Sequence, residues 1–224
     1  MKFILTILLI FSLSASAQTK IFGVKSGGSA YTETRRWYCN LGSDLTTSPA
    51  PSPTWNTLGF VYESWLTIGG MTFNNLETST GVATAIDFTN TTQWTGTSNN
   101  VTTTGNNSGV FPDLVLQGMV HGLKGSKFKF TSLDNSKYYT VLVLFNTNYW
   151  EESTNAYITV GGTNSNTIAN CAGNYGSSPY SMNDAALAKV EYKQPTSGEL
   201  EITFNKSSSN THVQVVAIVL IEYQ

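Results

Sequence analysis

The sequence predicts an all-β protein, a two-sheet antiparallel sandwich. Three observations carry this. Short apolar or alternating runs recur along the 224 residues, turn residues separate them, and no segment carries a sustained helical period. Ser, Thr, Asn and Gly supply most of the polar character, and these are poor helix formers. Aromatic residues make up 12% of the chain and suit pleated surfaces, as do the many Thr, Val and Ile.

The runs that predict strands are Lys20–Lys25, Gly59–Ile68, Val82–Phe88, Lys127–Ser132, Tyr138–Phe145, Ala156–Val160, Ala186–Tyr192, Glu199–Phe204 and His212–Tyr223. In Glu199–Phe204, Leu200, Ile202 and Phe204 share one face and Glu199, Glu201 and Thr203 the other. Lys127–Phe130 alternates in the same way, as expected of a strand with one wet side. Tyr138–Phe145 and Val213–Ile221 are continuously apolar and predict central strands covered on both faces. Gly69-Gly70, Gly161-Gly162, Asp134-Asn135-Ser136 and Thr196-Ser197-Gly198 punctuate the runs. Thr46–Pro53, with three prolines, reads as an exposed loop. Asn90–Asn107 reads as a long surface connection or an edge region, and Gly118–Gly122 as a turn. Asp184–Lys189 would make at most one helical turn. About nine strands without an internal repeat point to a single sandwich, with a jelly roll as the expected connectivity.

The N-terminus predicts export. Lys2 precedes an apolar run, Phe3–Leu13, and Ser14-Ala15-Ser16-Ala17 offers a small-residue cleavage site before Gln18. The expected organisation is therefore a signal peptide over 1–17 and one β-sandwich domain over 18–224, secreted to the extracellular space or held in the periplasm. The apolar run is too short for a stable membrane anchor, and no later segment reaches spanning length, so membrane insertion is not expected. Net charge is −2 and only 12% of residues are charged, with no basic run longer than Arg35-Arg36. Nucleic acid calls for a concentrated basic patch, so it is not expected as a partner. An exported chain permits a disulfide between Cys39 and Cys171, and two separate buried thiols is the competing reading.

The order of several short motifs resembles the galactose-binding-like jelly-roll modules of secreted Bacteroidetes proteins. These are Trp55-Asn56, Leu-x-x-Ser-x-Gly over Leu76–Gly81, Phe111-Pro112, the strand Tyr138–Phe145, Tyr-x-x-Val-Gly-Gly over Tyr157–Gly162, Asn170–Asn174, and Pro-x-x-Gly-x-Leu-x-Ile over Pro195–Ile202. The resemblance implies a carbohydrate-binding-module-like sandwich and no catalytic signature. It leaves Thr19–Thr54 without a counterpart.

Catalytic constellations are sparse in the sequence. His121 and His212 are the two histidines, and no Gly-x-Ser-x-Gly elbow accompanies them. Glu151-Glu152 is the adjacent carboxylate pair, and in an extended segment its side chains would point to opposite faces. No spacing suits zinc, while Asp44, Asp113 and Asp184 in loop-like contexts leave structural calcium open. Asn90, Asn100, Asn106 and Asn205 head Asn-x-Ser/Thr sequons, which Thr/Asn-rich loops produce by chance.

Binding is better supplied. Sugars offer apolar faces to aromatic rings and hydroxyls to planar amide, carboxylate or guanidinium groups. Three clusters hold both components: Tyr149-Trp150-Glu151, Asn174-Tyr175 with Tyr180, and Arg35-Arg36-Trp37-Tyr38. Trp55 and Trp65 are expected in the core. The expectation is a non-catalytic protein, not an enzyme, that binds a glycan or polysaccharide through loop aromatics. Its contacts would be Trp150, Tyr149, Glu151, Arg36, Trp37, Asn174 and Tyr175, without a cofactor. The alternative is a subunit of an extracellular filament, sheath or surface layer, self-assembling by β-strand addition from Thr19–Thr54.

Overall fold

The computed structural model describes residues 31–42, 53–58, 70–98, 115, 118–145, 156–162, 167–170, 187–206 and 212–224. The chain divides into Met1–Ala30 and Tyr31–Gln224, and the first of these lies outside the described residues. So do the expected strands Lys20–Lys25 and Gly59–Ile68 and the residue Trp65.

The described residues form thirteen strands in two sheets: β1 (Glu33–Asn40), β2 (Trp55–Thr57), β3 (Thr72–Phe73), β4 (Asp87–Asn90), β5 (Trp94–Ser98), β6 (Met119–Leu123), β7 (Lys127–Thr131), β8 (Tyr138–Phe145), β9 (Ala156–Val160), β10 (Thr167–Asn170), β11 (Leu187–Lys193), β12 (Leu200–Lys206) and β13 (His212–Tyr223). Sheet A runs β11-β8-β13-β1-β2, with β6 also pairing β13 and β5 pairing β6. Sheet B runs β10-β9-β12-β7-β4-β3 and is antiparallel throughout. The all-β sandwich is as the sequence predicts. Its uniformly antiparallel character is not, because β1 and β2 pair in parallel, Tyr38 beside Trp55. The stretch between Asn40 and Trp55 is long enough for the crossover that a parallel pair requires. No helix among the described residues is long and apolar enough to cross a membrane.

Alternation sorts each strand into an inner and an outer face. On β7 and β12, Phe128, Phe130, Leu200, Ile202 and Phe204 turn into the core. On the outer face Lys127 and Lys129 bridge across to Glu201 and Glu199 at 2.7 and 2.8 Å. Sheet A behaves differently. On β1, Trp37, Cys39 and Leu41 enter the core, yet the intervening Tyr38 and Asn40 are also buried. On β13, Val213 and Val215 point inward, a bulge between Val215 and Ala217 resets the parity, and Ile218 and Leu220 then point inward. Val219, Ile221 and Tyr223 on the opposite face are buried too. β8 and β13 are thus central strands buried on both sides, as their continuous apolar runs imply.

An aromatic stack joins the sheets. The Trp94 ring lies 4.3 Å from Phe128 at 12°, and Phe204 meets both edge-on. Trp94 stands directly opposite Gly122 on β6, and a β-carbon at Gly122 would lie 2.7 Å from two Trp94 ring carbons. Gly118–Gly122 is therefore mostly strand rather than turn, its second glycine making room for an indole from the edge strand β5. Thr19–Thr54 is also corrected as a source of an exchangeable strand. Its segment β1 is already built into sheet A, paired with β13 from Glu33 to Asn40 and with β2 over Tyr38–Asn40, while 19–30 and 43–52 lie outside the described residues. Gly122→Ala is expected to destabilise the chain by about 1–3 kcal/mol through overpacking. Urea denaturation checks this, and an unchanged midpoint would show the Trp94 ring free to shift.

Candidate functional site

Two side-chain groups gather at the end of sheet A where β1 begins, β13 ends and β8 begins. The inner one is centred on Glu222, whose side chain is only 2% exposed. Its Oε1 accepts from Thr34 Oγ1 at 2.6 Å and Arg35 Nε at 2.9 Å. Its Oε2 accepts from Arg35 Nη2 at 2.6 Å and the Tyr139 hydroxyl at 3.0 Å. The Asp134 backbone N–H donates to that same hydroxyl at 3.1 Å, tying in the turn before β8. The Arg35 guanidinium also lies 5.2 Å over the Trp37 ring. Burial acts to raise the Glu222 carboxyl, but the donors from Arg35, Thr34 and Tyr139 outweigh it and hold the group below its ordinary value. Hydrogen bonding to Glu222 raises Arg35, and burial raises the Tyr139 phenol. A carboxylate so fixed as an anion is unsuited to general-acid work at neutral pH and well suited to clamping strands together.

The outer group is aromatic. Tyr31 lies 4.4 Å from Tyr138 and stacks on Tyr192 at 4.7 Å and 27°. Tyr192 meets Tyr223 edge-on at 5.0 Å. Strand pairing places Tyr138 directly opposite Tyr223. Tyr31, Tyr138 and Tyr192 are partly exposed. Hydrogen bonding with Tyr138 raises the Tyr31 phenol, and burial raises that of Tyr223. Beside the rings, Arg36 makes a bidentate pair with Glu33, at 3.0 Å to Oε1 and 2.6 Å to Oε2, and donates to the Tyr38 hydroxyl at 3.1 Å. Burial disfavours the Arg36 charge, but Glu33 and Tyr38 more than restore it. Tyr38 in turn packs on Trp55 at 4.8 Å.

Of the residues the sequence singles out, Arg36 alone is placed in this outer group. Trp37 is corrected: it belongs to strand β1, not a loop, and its ring is fully buried with Nε1 donating to Thr84 Oγ1 at 3.2 Å. The one-residue step along a strand turns Arg36 outward and Trp37 inward. Tyr149, Trp150, Glu151, Asn174, Tyr175 and Cys171 lie outside the described residues, as do Asp44, Asp113 and Asp184. Cys39 is a free, fully buried thiol raised by burial. Trp55 is buried, though against Tyr38 on the outer face of sheet A. His121 sits on β6 with its Nδ1 3.3 Å from Gln214 Nε2. Among the described residues no group of three His, Cys, Asp or Glu could hold a metal. Tyr31, Tyr138, Tyr192, Tyr223 and Glu33 are absent from the expected contacts. Tyr138 and Tyr223 were legible as strand ends, but the register that sets them face to face was not.

No protein-family model matches the chain, and no curated protein matches it. Solved structures that match include the exo-β-1,3-galactanase of Phanerochaete chrysosporium with galactose, at 16% identity, covering 68% of this chain and 29% of that one, with a TM-score of 0.29. A variant of that enzyme with β-1,3-galactotriose matches at 14% identity, with the same coverage and TM-score. At these values the likeness transfers no residue role and no substrate. The matched structures are nevertheless enzymes. The expectations of a non-catalytic binding protein and of no enzyme activity run against these matches and are not carried further.

The Glu222 clamp makes stability depend on pH with a definite sign. Its carboxyl is held below its unfolded value, so its contribution is complete at neutral pH. That contribution is lost as pH falls below the ordinary glutamate value of about 4.3 and through the folded one. Glu222→Gln is expected to cost about 2 kcal/mol at neutral pH, as for lost charge-assisted hydrogen bonds, and to flatten the acid limb. Denaturant unfolding across this pH range checks it, and parallel pH profiles for the two proteins would contradict the clamp.

Proposed function

We propose that the chain is an exported, glycan-directed β-sandwich whose contact surface is the tyrosine group on the outer face of sheet A, presented by the partly exposed Tyr31, Tyr138 and Tyr192 with Tyr223 buried beside them. The observation that supports it most is the chain of four phenol rings, Tyr138-Tyr31-Tyr192-Tyr223, with successive centroids 4.4 to 5.0 Å apart, beside a planar guanidinium–carboxylate pair. Pyranose rings stack on such rings, and their hydroxyls pair with planar charged groups. Export is supported by Lys2, the apolar run Phe3–Leu13 and the small residues before Gln18. The finer reading of the sandwich as a galactose-binding-like jelly roll belongs to the same proposal and is supported by the motif order from Trp55 to Ile202.

The test is affinity electrophoresis in gels cast with a polysaccharide panel that includes β-1,3-galactan, with release of reducing sugar followed in matched solutions. Retention reports contact and sugar release reports turnover. The double variant Tyr31→Ala, Tyr138→Ala removes two rings, each worth about 1 kcal/mol of aromatic contact, so binding should fall roughly tenfold or more. A double variant that melts near wild type and binds unchanged would contradict the reading.

A further inference from the structure

Among the described residues, four non-glycine residues have left-handed backbone: Asn75, Ser132, Tyr192 and Ser197. Asn75, Ser132 and Ser197 are residue types that turns accept, and they lie in connections between strands. Tyr192, at φ +53°, lies inside strand β11, where pairing with β8 slips between Val190 and Lys193. A bulky ring at positive φ is sterically disfavoured, and glycine is the residue that such a bulge ordinarily selects. Strain of this kind persists where the surroundings impose it and gathers at functional sites. Here the bulge gives Tyr192 to the outer face, stacked on Tyr31 and edge-on to Tyr223, while Lys193 is paired opposite Tyr139 and buried.

The charges around this ring form a second observation. Arg36 pairs with Glu33 on β1, Lys189 pairs with Glu191 on β11, and Arg35 pairs with Glu222 beneath. In the turn leading to Tyr138, Lys137 and Asp134 carry opposite signs and attract each other. These pairs sum to zero, and Lys193, the neighbour of Tyr192 in β11, is buried with its side chain turned inward beside Gly162, so the outer patch presents no net charge to an anion or a cation.

We propose that Tyr192 is the ring platform of this surface, held in unfavourable backbone for the position of its phenol, and that it selects an uncharged glycan. This rests on the glycan reading given above. The experiment compares wild type, Tyr192→Gly, Tyr192→Ala, Tyr192→Phe and Tyr31→Ala by melting temperature and by affinity electrophoresis. The gels contain a neutral polymer, β-1,3-galactan or a β-glucan, or else polygalacturonate. Tyr192→Gly should melt above Tyr192→Ala, because both lose the ring contacts and glycine alone relieves the backbone strain, yet bind the neutral polymer about tenfold or more weakly than wild type. Tyr192→Phe should bind within a few-fold of wild type, and polygalacturonate should be retarded less than the neutral polymer. If Tyr192→Gly binds as wild type while Tyr31→Ala does not, the patch is the site but Tyr192 is not its platform. If Tyr192→Gly melts no higher than Tyr192→Ala, the strain argument is overturned, and stronger retardation by polygalacturonate overturns the choice of ligand. If wild type passes unretarded through every gel, the glycan reading itself fails.

Discussion

The end of sheet A depends on strand alternation across three neighbouring strands. Each puts one residue into the inner carboxylate clamp and an adjacent one onto the outer surface. On β13 these are Glu222 and Tyr223, on β1 Arg35 and Arg36, and on β8 Tyr139 and Tyr138. Successive side chains of a strand point to opposite faces, so the clamp and the tyrosine group are two sides of one register. A slip of one residue in β1 or β13 would exchange them, turning Arg36 and Tyr223 toward the inner face and Glu222 toward the outer one. The bidentate Arg35–Glu222 pair, with Tyr139 and Thr34 completing the acceptor's hydrogen bonds, opposes any such slip. It holds the register that places Tyr138 opposite Tyr223.

The two sheets have different outer faces. Sheet B keeps a wet one, with lysines and glutamates paired across β7 and β12. Surface pairs of this type add little to stability and mainly keep the face solvated. On sheet A, Leu142, Leu144, Val219 and Ile221 are all buried outside the main core, and a partly exposed tyrosine group stands at one end. Aromatic and planar charged groups therefore concentrate on the sheet whose surface is otherwise dry. Loops are the usual place for binding side chains, but here, among the described residues, strands hold them, with Tyr192 brought in by a bulge.

Strands with a strong local pattern were legible from sequence. Tyr138–Phe145, Ala156–Val160 and His212–Tyr223 match β8, β9 and β13 residue for residue, because continuous or alternating apolar character marks them. β1 was missed because Glu33-Thr34-Arg35-Arg36 makes its first half look like a loop, and the Arg35 charge is explained only by Glu222, nearly two hundred residues away. β6 reads as a turn in the sequence because Gly118 and Gly122 bracket it. Gly122 is glycine to admit the Trp94 ring, a packing reason invisible without β5. The site was legible in type more than in place. Arg36 was identified, but Trp37 was counted with it when the strand period sends it inward. The tyrosines meet only through register and a bulge, neither of which a local pattern encodes.

Native-state hydrogen exchange tests the register most directly. If β13 is locked between β8 and β1 as far as the clamp, amides from Val219 to Tyr223 should exchange only through global unfolding, with the same free energy as the middle of the strand. The account is contradicted if Ile221, Glu222 and Tyr223 exchange through low-energy local openings while Val219 and Leu220 stay protected. The end of sheet A would then be frayed, and neither the clamp nor the tyrosine group could be held as described.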